Sequence, residues 1–184
     1  LVPAVKPNGK WWTVPVLLAY AALAPGQPLA DRTEELDGET VHYSIRAFPP
    51  GAHLADPAVQ LEPASALNTA RLLNRYLTSG AVEDAAMLSN APRRRYEVLH
   101  DYKSAVGDDG FKQVYAQYFT PQNRLAAEVA LGGHSLLVWH QREGDRYAGQ
   151  YYVQVEDKVL VDDVPSEARF RLRRILEAIR AGKV

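Results

Sequence analysis

Apolar positions recur along this chain with two periods, and the change between them falls at Pro121. After Pro63, Ala66, Ala70, Leu73 and Leu77 follow i, i+4, i+7, i+11, a helical stripe that Gly80 stops. A short helix is predicted over Val82 to Ser89, with Val82, Ala85 and Ala86 inward. Pro92 suits the first position of a third helix, which carries Tyr96, Leu99 and Tyr102 and ends near Gly107. Asp108 or Asp109 then caps a stretch with Phe111, Val114, Tyr115, Tyr118 and Phe119, the clearest amphipathic spacing in the chain. Beyond Pro121 the period drops to two. Strands are predicted over Arg124–Leu131, Ser135–Arg142, Tyr147–Glu156 and Val159–Asp163, separated by hydrophilic turns. Connections this short make neighbouring strands antiparallel, because a parallel crossover needs a dozen residues or more. Ser166 caps a last helix whose inner stripe is Leu172, Ile175, Leu176 and Ile179.

The first 60 residues have a different texture, with eight prolines before Gln60. Trp12, Val14, Val16 and Leu18 alternate as a strand does, and Val41, Tyr43, Ile45 and Ala47 do so again before the Pro49-Pro50-Gly51 turn. The acidic stretch from Asp31 to Glu39 is expected to be a surface connection between them. The organisation predicted is an N-terminal β extension at 1–60 and a unit at 61–184 ending in the C-terminal helix. The fold class is α+β: helices followed by a curved four-stranded antiparallel meander, with a two-strand N-terminal extension.

Leu72-Leu73-Asn74-Arg75-Tyr76-Leu77-Thr78-Ser79-Gly80-Ala81-Val82-Glu83-Asp84-Ala85-Ala86-Met87-Leu88 is a long helix, a small-residue break and a short helix. Followed by the meander from Arg124 to Asp163, it resembles the nuclear transport factor two-like superfamily, a cystatin-like α+β cone also used by ketosteroid isomerase and scytalone dehydratase. The resemblance covers about residues 64–164. It implies an apolar pocket between sheet and helices. It implies no particular activity, since one scaffold hosts isomerases, dehydratases and pure binding modules.

Composition narrows the chemistry. At 47% hydrophobic and 23% charged residues, the chain is that of a globular protein and not a disordered one. With 21 basic against 22 acidic residues it lacks the charge excess of a nucleic-acid-coating protein, so no nucleic-acid partner is expected. Absence of cysteine removes disulfides, thiol nucleophiles and cysteine-ligated zinc together. Trp11 to Ala24 has some features of a secretory leader, but Pro15 and the paired tryptophans suit a buried strand better, and the run is too short to span a bilayer. No transmembrane segment is expected. Leu1 in place of Met, with the lack of cysteine, leads us to expect an exported protein, periplasmic or secreted, with its signal peptide removed.

Candidate chemistry is sparse. His100 and Asp101 are helix neighbours about 100° apart, a surface polar pair more than an acid–base couple. Gly133-His134-Ser135 resembles a hydrolase elbow but lacks the Gly-x-Ser-x-Gly frame, and a strand turn explains it better. His134 and His140 lie roughly 20 Å apart along one strand at about 3.3 Å per residue, too far to share an ion. No metal and no cofactor are expected. The charged residues Glu128, Arg142, Glu156, Asp157 and Asp162 are assigned to strand ends and solvent. The arginines Arg169, Arg171, Arg173, Arg174 and Arg180 are assigned to a helix whose last turns favour cations.

Ligand-pocket candidates are Tyr115, Tyr118, Trp139 and Tyr151, aromatic residues of the sheet and of the helix expected to face it. The expectation is a non-catalytic binding or partner-interaction module, taking a protein partner or a small apolar ligand. A homodimer could form through the sheet. The alternative is a small-molecule enzyme, an isomerase, dehydratase or hydrolase working in the same pocket.

Overall fold

The computed structural model describes residues 29–54, 61–118 and 120–183. The strand expected at Trp12–Leu18 lies outside them. In chain order the elements are β1 (Ala30–Leu36), β2 (Glu39–Ala47), α1 (Ala66–Ser79), α2 (Val82–Met87), α3 (Pro92–Tyr118), β3 (Arg124–Leu131), β4 (His134–Gln141), β5 (Arg146–Val155), β6 (Lys158–Val161) and α4 (Glu167–Arg180). All six strands form one antiparallel sheet in the order β1-β2-β3-β4-β5-β6. The protein is thus α+β. The helices α1–α3 are inserted between β2 and β3, and the expected four-strand meander is the larger part of a six-strand one.

Asp31 to Glu39 corrects the sequence expectation. It is strand β1 and its turn into β2, not a loose connection. Asp37 (φ 51°) and Gly38 (φ 80°) both take the left-handed backbone that a two-residue hairpin turn needs, which asparagine, aspartate and glycine tolerate best. The strand escaped notice because it is an edge with polar side chains on both faces. Seryl and threonyl pairs hold it instead: Ser44 Oγ donates to Asp31 Oδ1 at 2.7 Å, and Thr33 Oγ1 lies 2.9 Å from His42 Nδ1.

The helical pattern holds. Ser65 caps α1 by accepting from Asn68 N, and Gly80 closes it by donating to the Leu77 and Tyr76 carbonyls. The two helices expected on either side of Gly107 are both present within α3, and the break between them is at Gly107, whose φ 78° and ψ 166° are not helical. That conformation is open to glycine and strained for other residues. At the kink, Asp108 receives Lys103 (2.8 Å) and Lys112, while Lys103 also donates to the Gly80 carbonyl. Those two ammonium groups hold the Asp108 carboxyl down at about 2.

Strand alternation sends side chains to two cores. On one face Leu125, Leu137, Tyr152, Val159 and Val161 pack against α1–α3, with Leu73, Leu77 and Phe111 at the centre. On the other, Val41, Tyr43, Val129, Leu136 and Val138 pack against Leu172, Ile175 and Leu176 of α4. α4 sits very close to β5 because residue 149 is glycine: a Cβ there would lie 2.7 Å from Leu136 Cδ1 and 2.8 Å from Leu176 Cδ2. The sheet is therefore a middle layer, with α1–α3 above and α4 below.

Candidate functional site

A cavity of about 620 Å³ opens between α1, α3 and the strands β4 and β5. Leu73 and Leu77 form its α1 wall, and Val98, Tyr102, Val114 and Tyr115 its α3 wall. Trp139, paired with Ala148 across the β4–β5 ladder, forms the floor. Part of this arrangement follows from period: Val98 and Tyr102 lie one turn apart before the break at Gly107, and Trp139 shares the face of Leu137. Fully buried Phe111 fixes the tyrosines, its ring centroid 4.8 Å from Tyr115 and 6.0 Å from Tyr102.

Polar groups line the remainder: Asn123, Gln141, Gln150 and Arg95. Gln150 Oε1 accepts the Tyr152 hydroxyl at 3.0 Å. Burial drives the Tyr152 phenol far above its ordinary range, so that hydroxyl is a permanent donor. Arg95 is locked onto Asp163 through Nε (2.6 Å) and Nη2 (2.8 Å), a bidentate pair that Ser89 Oγ joins at 2.6 Å. Burial pushes the Asp163 carboxyl up, but the Arg95 and Ser89 hydrogen bonds outweigh it and the net shift is downward. Among the described residues, the one cation lining the chamber therefore carries its own counter-ion.

A second basin, about 660 Å³, adjoins the first and shares Asn123 and Gln141 with it. Its other walls are Gln117, Thr120, Gln122, Arg142, Glu143, Gly144 and Arg146.

Of the pocket candidates, Tyr115 and Trp139 meet in the chamber. Tyr118 closes α3, and its side chain lies outside the described residues. Tyr151 is on the opposite face, next to the α4 core, with Arg169 Cζ 5.2 Å above its ring; burial raises its phenol pKa, and Arg169 opposes the shift. Adjacent strand residues face opposite ways, so Tyr151 and Tyr152 divide between the two cores.

Other polar residues fall elsewhere. His100 is exposed on α3, its ring 5.4 Å from Tyr96 and its Nδ1 3.7 Å from Asp101. Two carboxylates assigned to solvent are in fact buried. Glu128 is 7% exposed and receives Arg46 Nε at 2.8 Å and its Nη2. Asp162 is 3% exposed, accepts Asn90 Nδ2 at 2.8 Å and lies 3.1 Å from His134 Nδ1. The arginines of α4 serve the fold: Arg171 reaches Glu39 at 2.8 Å, and Arg174 reaches Glu39 at 2.6 Å and Asp37 at 3.0 Å. Among the described residues, no three histidine or carboxylate side chains are grouped to hold a metal ion.

Fold and cavity together define an α+β protein with a ligand-sized chamber between its sheet and its inserted helices. Compared with protein-family models, curated proteins and solved structures, the chain matches none. Among the described residues, no helix is long and apolar enough to cross a membrane.

Proposed function

We propose that this chain is a non-catalytic binding module whose chamber receives a small, largely apolar ligand. The observation that carries this reading is the lining. Trp139, Tyr102 and Tyr115 offer aromatic surface, Asn123, Gln141 and Gln150 offer neutral hydrogen-bonding groups, and Arg95 is already neutralised by Asp163. The volume falls within the roughly 300–1,000 Å³ of small-molecule sites, and a few fixed polar groups in an apolar cavity set orientation. The resemblance of Leu72–Leu88 to the nuclear transport factor two-like superfamily points to the same apolar pocket, and we propose that kinship as well.

Titration with the neutral probe N-phenyl-1-naphthylamine tests the reading. Saturable binding to one site is expected, with Trp139 fluorescence responding. Ala148→Leu places extra bulk opposite Trp139 and is expected to weaken the probe at least about tenfold, as lost cavity volume should. Phe170→Ala, at an exposed α4 position, should leave it unchanged. Probe binding that ignores Ala148→Leu, with circular dichroism intact, would overturn the chamber as the site.

The second reading, a small-molecule enzyme, has one observation in its favour. Buried Asp162 holds His134 Nδ1, the arrangement that orients an imidazole for general-base work. His134 alternates with Leu136 and Val138, which places it on the α4 face and away from the chamber. Ester, lactone or enolisable-ketone turnover that disappears in His134→Gln would move the function to that dyad.

A further inference from the structure

Chamber and basin have opposite chemistries and a common wall. The chamber is mainly aliphatic and aromatic, and its cation is paired. The basin is lined by carboxamides, a threonine hydroxyl and the charged side chains Arg142, Arg146 and Glu143. Among the described residues, two cations against one anion leave the basin lining at formal +1. Asp145, in the same β4–β5 turn, lies 2.7 Å from His140 Nε2 and does not line the basin. Arg146 Nε donates to Gln141 Oε1 at 2.9 Å, and Gln141 belongs to both cavities. One guanidinium is thereby tethered at the seam.

We infer that the two cavities form one site for a single-chain amphiphile, its alkyl tail in the chamber and its anionic head group against Arg146 and Arg142. The inference rests on the chamber being a binding site and adds the ligand's class. A fully apolar ligand would leave the basin unused. A small anion would find no free cation among the described residues of the chamber, because both Arg95 contacts with Asp163 are made. A molecule apolar at one end and anionic at the other satisfies both linings at once. Arg142 and Arg146 are exposed, so their attraction for the head group is screened by salt and worth about two- to fivefold in affinity each.

Calorimetric titration of the full chain with decanoate, decyl phosphate, decan-1-ol and acetate, below the micellar range, tests this. Decanoate or decyl phosphate is expected to bind about five- to tenfold more tightly than decanol, and acetate not to bind at millimolar concentration. Whichever of the first two binds more tightly identifies the head group as carboxylate or phosphate. In the double variant Arg142→Ala/Arg146→Ala the advantage over decanol should vanish while decanol itself is unchanged. Added salt should weaken the anions and spare decanol. Equal binding of decanol and both anions to the unaltered protein would overturn the head-group assignment and leave the chamber standing. Binding of none of the three decyl compounds would remove the chamber reading and this inference with it.

Discussion

Asp163 joins the first turn of α3 to the end of β6, and the chamber's charge balance depends on it. It accepts both Arg95 bonds and the Ser89 hydroxyl, and its own amide donates to Asn90 Oδ1 at 2.8 Å. Its carboxyl is held below the ordinary carboxylate range, so the unfolded chain takes up a proton there more readily than the folded one. The stability it contributes is complete above about pH 4, the unfolded value, and is lost as pH falls through the lower folded value. Asp163→Asn is expected to cost about 2 kcal/mol at pH 7, since Arg95 is left half-buried without its counter-charge. Urea midpoints measured from pH 7 down to pH 2 should show the gap between variant and native protein closing below about pH 4. A gap that stays constant across that range would remove Asp163 as an acid-labile clasp. Residues of this kind were the hardest to foresee. Glu128 and Asp162 look in sequence like solvent-facing charges on a strand or at its end, because their partners Arg46 and His134 lie far away along the chain. Gln141 and Gln150 were missed because an uncharged carboxamide on a strand carries no signal of its own, while Trp139 and Tyr115 stood out because aromatic residues on an apolar stripe do.

Among the elements, legibility tracks how much apolar pattern each one carries. α1 and α4 bury one stripe, and β3 to β6 are apolar runs bounded by hydrophilic turns, so pattern and punctuation place them within a residue or two. β1 buries neither face, so alternation had nothing to mark, and only Asp37-Gly38 announced a hairpin. The placement of α4 was equally hidden, because it depends on a missing side chain. Gly149 lets Leu176 approach β5, and Arg171 and Arg174 then reach the β1–β2 turn at Glu39 and Asp37. Gly149→Ala would push a methyl group onto Leu136 and Leu176, both buried, and although each contact is a flexible side-chain end, two must yield together. The expected cost is about 1–3 kcal/mol, the usual range for overpacking. Leu176→Ala in the same chain should return part of it by making room, which a double-mutant cycle on chemical denaturation would measure. Strictly additive losses would show that the strain lies elsewhere.

At the scale of the whole molecule, a single sheet carries two cores that share no side chain but share the strands β3, β4 and β5. Leu73 belongs to the chamber side and Leu172 to the α4 side, at 2% and 0% exposure. The central strands β3, β4 and β5 each contribute to both cores, as Leu136 and Leu137 do on β4, so neither core can dissolve while the other keeps its backbone ladder. Unfolding is therefore expected to be one cooperative transition, with Leu73→Ala and Leu172→Ala each lowering stability by about 2–5 kcal/mol. Their effects on function should separate. Leu73 lines the chamber, so its truncation enlarges the cavity and changes affinity for N-phenyl-1-naphthylamine, whereas Leu172→Ala should leave that affinity as it was at temperatures where the variant is fully folded. Calorimetric scans with matching van't Hoff and calorimetric enthalpies would establish the single transition. Two resolved transitions, with the α4 side melting first and the probe still bound, would mean that α4 is a separable cover over an independently stable sheet and helical layer.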